Sequence, residues 1–595
     1  MPGKIRVVQT ILALAGLFSV VIGMPGLVTA QEVGPDSVYL PLVVGGPNQT
    51  PAVEAAVAHG PKLKPRLKFA KPLHGRNPLL NGKEEEGDDK TTISLDPALS
   101  ALCQSYIGSA TPYANPAPNV DMIVNDTIVS VGSQAGCSSA QNETTIAVNP
   151  NNPNNLVAGT NDYRVYNARE NRNDSSGWAY TSFDGGATWI NGVLPHLTFQ
   201  TGATGALSDM DSAGDPAVAF GPNNTVFYAN IAFSRLNDGS AIVVSKSTDG
   251  GLTWGEPSIV QLDGVDSAGN PQPTPYFNDK EWIAVDLASG TVYVTWTRFG
   301  PSDSPIVMSK STDGGATWSP FVVVNPGISA GGITAYSQGS IPQVGRNREL
   351  YIAYESAVCQ TLACDQPTDH DAIIMAKSTD GGLTFKNVEV AANYDFPFND
   401  NVGDMTLSGE NFRINSFPQF TIDRQTGLLY VTWADDRNGQ YAVDGSSIKT
   451  NGDVFVTTSS NGTQWTQLYQ LGTDSDEVFP AIAAYTARIV VTFYTRTYDP
   501  TGVGLDYAYT AATGLGNVKK NQVTRITTQT SNPQVQFVSV GAVSGEVLQG
   551  VFIGDYTAVA LGSDFKFHPA WTDFRGKPGA TLPNQDAYTQ AISLR

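Results

Sequence analysis

Ser247-Thr248-Asp249-Gly250-Gly251-Leu252-Thr253-Trp254 is the stretch that decides the fold. In such an octet the Ser and Asp side chains can accept backbone N–H groups inside a tight turn, and the two glycines permit positive φ. The Thr hydroxyl can close the loop, and the indole can pack between the strands that the turn joins. The octet is thus a hairpin clasp. Near copies occupy 182–189 and 311–318, and a copy at 378–385 carries Phe385 in place of Trp. A degenerate form reads Ser459-Ser460-Asn461-Gly462-Thr463-Gln464-Trp465. One copy would say little. Four close copies and a fifth degenerate one define a repeat.

The Asp of successive clasps recurs after 65, 64 and 67 positions, at Asp184, Asp249, Asp313 and Asp380. A four-stranded antiparallel unit needs only about 40 residues, so each repeat carries roughly 25 more as loop. Ahead of each clasp stand two apolar runs: 144–148 with 156–159, 216–220 with 226–229, 282–285 with 292–296, 342–344 with 350–354, and 417–422 with 429–433. Two further pairs, 479–482 with 489–493 and 556–559 with 567–571, lack a clasp. The expectation is an all-β propeller of four-stranded antiparallel blades. Seven blades are expected, with six as the alternative if one unit is an insertion.

Composition agrees. Charged residues are only 15% while Gly (59) and Pro (37) abound, which favours short strands and turns over long helices. A formal net charge of −20 argues against a nucleic-acid partner and against an anionic membrane surface. Lys4 and Arg6, an apolar run over 7–21, and Val28-Thr29-Ala30 before Gln31 read as a signal peptide over 1–30. The mature chain is then secreted or attached to the cell envelope, with no later run long and apolar enough to span a bilayer. Residues 31–100 read as a flexible tether or propeptide, with Lys62, Lys64, Arg66, Lys68 and Lys71 ahead of an acidic block at 84–89. Residues 101–140 read as a lead-in segment and 141–595 as the propeller. Four cysteines allow three pairings; Cys103 with Cys137 and Cys359 with Cys364 is the economical one in an oxidising compartment.

The clasps resemble the Asp-box, or bacterial neuraminidase repeat, of the sialidase superfamily. The resemblance implies a clasp between the third and fourth strands of each blade, on the side opposite the active site. It also implies enzymes that hold a substrate carboxylate with three arginines and use a Tyr activated by a Glu, with an Asp as acid/base. Tyr556 with Glu281 or Glu355, and Asp279, are the residues available for those roles. Seven units depart from the usual six of those enzymes, and the family's Arg-Ile-Pro motif is absent near the first blade.

Two places in each blade face the same opening: the start of its first strand and the end of its second. Second-strand ends repeat an arginine, at Arg164, Arg235, Arg298, Arg437, Arg496 and Arg575. Arg164, Arg437 and Arg575 follow Asp162, Asp435 and Asp573 in Asp-x-Arg triplets. With Arg496, these lie in contiguous blades of a closed ring, where they could grip a carboxylate or sulfate. The alternative is local: side chains two apart on a strand share a face, so each Asp can simply pair with its Arg. First-strand starts carry Asp215, Asp279, Lys280, Glu281 and Asp555. Charges beside a buried strand are costly unless hydrated, paired or bound to a ligand.

Other chemistries find less support. Asp209, Asp211 and Asp215 around Gly214, and the stretch 399–404, offer hard oxygen ligands for calcium without matching an EF-hand. No cofactor is otherwise required. The five histidines form no HExxH, and the Gly-x-Ser-x-Gly string at 327–331 lacks the helix a nucleophile elbow needs. The expected function is recognition of glycans or polysaccharides, with hydrolysis of a terminal acidic sugar as the enzymatic version. The alternative is a non-catalytic module that binds carbohydrate or a cell-surface protein.

Overall fold

Short apolar runs separated by glycine turns pair most readily with their neighbours in sequence, because short loops cost little to close. The computed structural model shows this pattern seven times. It describes residues 118–123 and 140–594, apart from 168, 170–171, 326–327, 330–331, 335, 400–403, 443–445, 534–536, 541–545, 551 and 576–584, together with the pairs 58–59 and 93–94. The chain divides into two compact units, Met1–Ala55 and Ala56–Arg595, and the first lies outside the described residues. So do the expected signal peptide, most of the expected tether, and Cys103 and Cys137.

Each blade is a four-stranded antiparallel sheet. The first strands are Gln141–Asn149, Ser212–Phe220, Phe277–Val285, Ser337–Val344, Gln419–Ile422, Glu477–Tyr485 and Ala558–Leu561. All seven contribute to one axial cavity, so the sheets form a closed ring of seven and the six-bladed alternative does not apply. Neighbouring blades share apolar cores: Ile231 and Val244 of the second blade pack with Ile283 and Trp296 of the third. Among the described residues no helix is long and apolar enough to cross a membrane.

The seventh blade differs in connectivity. Its outer strand is Val120–Asp121, paired with Tyr588 and Thr589, so part of the expected lead-in segment is a strand of the propeller. Asn119 anchors it by donating from Nδ2 to Ile526 O at 2.9 Å. The first and last described stretches of the ring are therefore hydrogen-bonded to each other in the seventh blade.

The clasps close as their residues suggest. Asp249 Oδ1 accepts from the N–H groups of Leu252 (3.0 Å) and Thr253 (2.9 Å), and Oδ2 accepts from the Thr253 hydroxyl at 2.5 Å. Ser247 Oγ accepts from Gly251 N at 2.9 Å, with Gly250 and Gly251 at φ of 80° and 98°. In the next copy, hydrogen bonds from Ser311 and Thr317 hold the exposed Asp313 carboxyl well below the usual carboxylate range.

Each clasp is also tied to the next. The residue just before the clasp Ser donates to a carbonyl of the following clasp: Thr181 Oγ1 to Gly251 O (2.7 Å), Lys246 Nζ to Gly314 O (2.9 Å), Lys310 Nζ to Gly381 O (2.6 Å) and Lys377 Nζ to Asn461 O (3.0 Å). Five turns thus form a chain of cross-blade hydrogen bonds along one face. Lys310→Ala is expected to lower unfolding stability by about 1–2 kcal/mol, the worth of a hydrogen bond to a charged donor. Exposed Lys386→Ala should stay within about 0.5 kcal/mol of the parent. Chemical denaturation of both variants checks this, and equal effects would contradict it.

Candidate functional site

Near the start of five first strands the ladder slips: between Asn142 and Thr145, Gly214 and Ala217, Asp279 and Trp282, Gln338 and Ile341, and Val478 and Ala481. At every slip one residue is left-handed: Glu143 (φ 54°), Asp215 (54°), Lys280 (52°), Gly339 (67°) and Phe479 (49°). That conformation costs a residue with a Cβ about 1–2 kcal/mol. A bulge of this kind re-aims its side chain, and its recurrence at one level of the ring marks a shared device.

Three of the re-aimed side chains meet at the axis. Lys280 Nζ lies 2.9 Å from Glu143 Oε1, 3.1 Å from Asp215 Oδ2 and 2.7 Å from Asp555 Oδ2. Arg413, from the segment ahead of the fifth blade, holds Asp555 with two bonds, Nε–Oδ1 at 3.0 Å and a terminal nitrogen to Oδ2 at 2.9 Å. Asn161 ties the first blade to the second by donating to Glu143 Oε2 and accepting from Asp215 N. Gly554 (φ 93°) lets the seventh blade approach the first, since a Cβ there would lie 2.7 Å from Glu143 N.

The groups of this cluster are buried, with Glu143 fully covered and Lys280 only 7% exposed. Burial, reinforced by the charges of Asp215 and Asp555, pushes the Glu143 carboxyl well above its usual range. Burial opposes ionisation of Asp555 as well, yet Arg413 and Lys280 outweigh it and hold that carboxyl well below the usual range. Burial likewise disfavours the Lys280 charge, but Asp215, Asp555 and Glu143 raise its pKa. Two carboxyls that share the Lys280 ammonium are thereby shifted in opposite directions from the ordinary carboxylate range.

Glu281 and Tyr556 stand beside this cluster, lining a small cavity with Lys280, Trp282 and Phe417. Neither Glu281 oxygen has a hydrogen-bond partner among the described residues, and burial raises its pKa well above normal. The Tyr556 hydroxyl donates to Pro216 O at 3.1 Å rather than to Glu281, and its ring meets Trp282 edge-on at 5.2 Å. Asp279 accepts from Gln338 Nε2 at 3.3 Å, and Glu355 from Asn393 Nδ2 at 2.7 Å.

The arginines at second-strand ends each meet acidic partners near them. Arg164 Nε lies 2.9 Å from Asp162 Oδ1, with its guanidinium over the third-strand Trp178. Arg437 lies 2.8 Å from Asp435 and over Phe455, and Arg575 lies 2.7 Å from Asp573 and over Tyr588. Arg496 bridges Asp476 (2.7 Å) and Glu410 (2.6 Å). Asp435 and Asp573 also accept from the indoles of Trp433 and Trp571, while Arg437 donates to Ala392 O and Arg575 to Thr528 Oγ1 and Asn119 Oδ1. Of the residues considered for calcium, Asp209 and Asp211 flank the Arg169 guanidinium, while Asp215 belongs to the axis. Among the described residues no group of three or more His, Cys, Asp or Glu could hold a metal ion. Cys359 and Cys364 form a disulfide.

Glu143 and Arg413 were not picked out from the sequence. Superposing first-strand starts would have found Glu143, which precedes Thr144-Thr145-Ile146 as Asp215 precedes Pro216-Ala217-Val218. Arg413 carries no local signal.

A second set of buried carboxyls lies in the fifth and sixth blades. Burial pushes Glu477 up to about 8, Asp436 to about 7 and Asp453 to about 6. Each binds its proton more tightly folded than unfolded, where carboxyls titrate near about 4. The native state therefore holds extra protons from about pH 4 to about pH 8, and stability falls as pH rises through that window. Urea denaturation should show a loss of more than about 1.4 kcal/mol between about pH 5 and about pH 8, and Glu477→Gln should flatten its upper part. A stability that rises over this interval would contradict the assignment.

No protein-family model matches the sequence, and no curated protein matches it. Solved structures do show likeness. A Hadza microbial sialidase is 15% identical, with a TM-score of 0.37 over 74% of this chain and 73% of its own. An α-L-arabinofuranosidase from Fusarium graminearum is 13% identical, with a TM-score of 0.37 over 64% of this chain and 94% of its own. A polysaccharide lyase described as an ulvan lyase is 10% identical, with a TM-score of 0.39 over 78% of this chain and 96% of its own.

Proposed function

We propose that the chain is a carbohydrate-active propeller that acts on glycans bearing acidic sugars at the axial cluster. One observation carries the reading: Lys280 joins Glu143 to Asp555, two buried carboxyls whose proton affinities are shifted in opposite directions. Carboxyls whose surroundings drive their protonation apart are the acid and base partners that glycoside cleavage needs. Glu143 then protonates the departing oxygen as the glycosidic bond breaks, Asp555 supplies negative charge to the oxocarbenium-like transition state, and water adds to the anomeric carbon and returns its proton to Glu143. Lys280 and Arg413 provide positive charge for a sugar carboxylate. Trp282 and Tyr556 line the small cavity beside the cluster, with Tyr556 beside Glu281 as the nucleophilic variant of the same site. The proposal includes export through residues 1–30.

A second reading is a non-catalytic glycan- or protein-binding module of the cell envelope. The full burial of Glu143 favours it, because a reacting group must be reached by substrate.

Purified protein incubated with fluorogenic sialosides and uronides separates the two. The hydrolytic reading expects turnover, reduced by at least about 100-fold in Glu143→Gln. Arg437→Ala, outside the cluster, should keep full turnover. Saturable glycan binding without product supports the binding module, and neither turnover nor binding would remove both readings.

A further inference from the structure

The axis continues beyond the charged cluster. Past the bulges, the first strands of all seven blades line a cavity of about 480 Å³ that reaches the turns joining first and second strands. Small side chains such as Ala147, Ala219, Ala484 and Ala560 keep it open. Trp282 lines both this cavity and the small one holding Glu281, so the indole stands between them. The volume lies within the range of pockets that enclose small ligands, about 300–1,000 Å³.

Its walls are chemically two-sided. Gln343, Gln419 and Thr421, from the fourth and fifth blades, are half-buried, and their side chains have no hydrogen-bond partner among the described residues. Ala147, Val218, Ala219, Ile482 and Ala560 face them from the other blades. At the mouth, on the first turn of the fifth blade, stands exposed Arg424. It makes no ion pair among the described residues, because the carboxylate that influences it, Asp286, is taken by Arg348 at 2.9 Å. Nearby, Arg346 donates to Gln425 O at 3.2 Å. The other carboxylates of these turns are engaged as well: Glu349 accepts from Asn347, and Asp423 from the N–H groups of Thr486 and Ala487. In a chain of net charge −20, an unclaimed guanidinium at a cavity mouth favours an anionic guest.

We propose that this cavity is a second binding site, for a hydroxyl-rich monocarboxylate of one or two sugar rings, such as a free uronic acid. Its carboxylate sits at Arg424, its hydroxyls meet Gln343, Gln419 and Thr421, and its apolar ring face lies on the alanine and isoleucine wall. An alkyl carboxylate would strip water from the amides and leave them unpaired, whereas sugar hydroxyls replace that water. A neutral sugar would leave the guanidinium without a partner. The site uses none of the charged residues of the axial cluster, and Gln419 is the one ligand residue that also lines the small cavity beside it, so the site stands whether or not that cluster is catalytic.

Calorimetric titration of the full chain with D-glucuronate, D-glucose and hexanoate tests this. Glucuronate should bind with a dissociation constant below about 10 mM, with glucose and hexanoate at least about tenfold weaker. Arg424→Ala should weaken glucuronate at least about tenfold and Gln419→Ala several-fold, with melting temperatures unchanged because Arg424 is exposed and Gln419 faces the cavity. Absence of glucuronate binding overturns the proposal. So does binding to Arg424→Ala equal to the parent, which would place the sugar acid elsewhere, or hexanoate binding as tightly as glucuronate.

Discussion

A left-handed residue near the start of the first strand, found in five of the seven blades, is the constraint on which the site depends. A first strand is buried on both faces by its neighbours, and an ordinary strand would carry a charge at that position into an apolar core. The bulge turns it toward the axis instead, at a local conformational cost. At Glu143, Asp215 and Lys280 that cost is offset by ion pairing among the side chains, and Gly339 meets the same demand without a Cβ. None of these charges is tenable alone. Lys280 without its carboxylates, or Asp555 without both Arg413 and Lys280, would be an unpaired ion in a dehydrated place.

Ring closure supplies the partners. The charges converge from the first, second, third and seventh blades, which are neighbours only in a closed circle. Val120–Asp121 completes the seventh sheet, while Arg413 and Asn415 reach Asp555 from the segment before the fifth. On the opposite face the clasps do different work. They tighten each third-to-fourth strand turn and link it to the next blade through Thr181, Lys246, Lys310 and Lys377. The chain of links ends at the fifth clasp, since the sixth and seventh blades have none to receive it.

Legibility in the sequence followed the range of each interaction. The clasp is complete within eight residues, so Asp249 and its neighbours could be read directly, and the strand pairs around it set the blade count at seven. The Asp-x-Arg triplets were also local, and the alternative in which Asp435 simply pairs with Arg437 describes the geometry seen. First-strand starts at Asp215, Lys280 and Asp555 stood out because charges there lacked a local reason. What they bond could not be read, because the contacts span tens to hundreds of residues and require a positive φ that non-glycine residues rarely advertise. Glu143 stands in a polar run ahead of a strand, Arg413 has no patterned neighbours, and Val120–Asp121 is too short to signal a strand.

The most direct test of the account is a triple-mutant cycle on the axial cluster, read by equilibrium denaturation. Lys280→Met alone should cost about 3–5 kcal/mol, because it leaves the carboxyls buried without their shared cation. Adding Asp215→Asn and Asp555→Asn should recover at least about 1 kcal/mol of that loss, since fewer charges are then stranded. Costs that simply add, within about 0.5 kcal/mol, would show that these side chains do not meet at the axis.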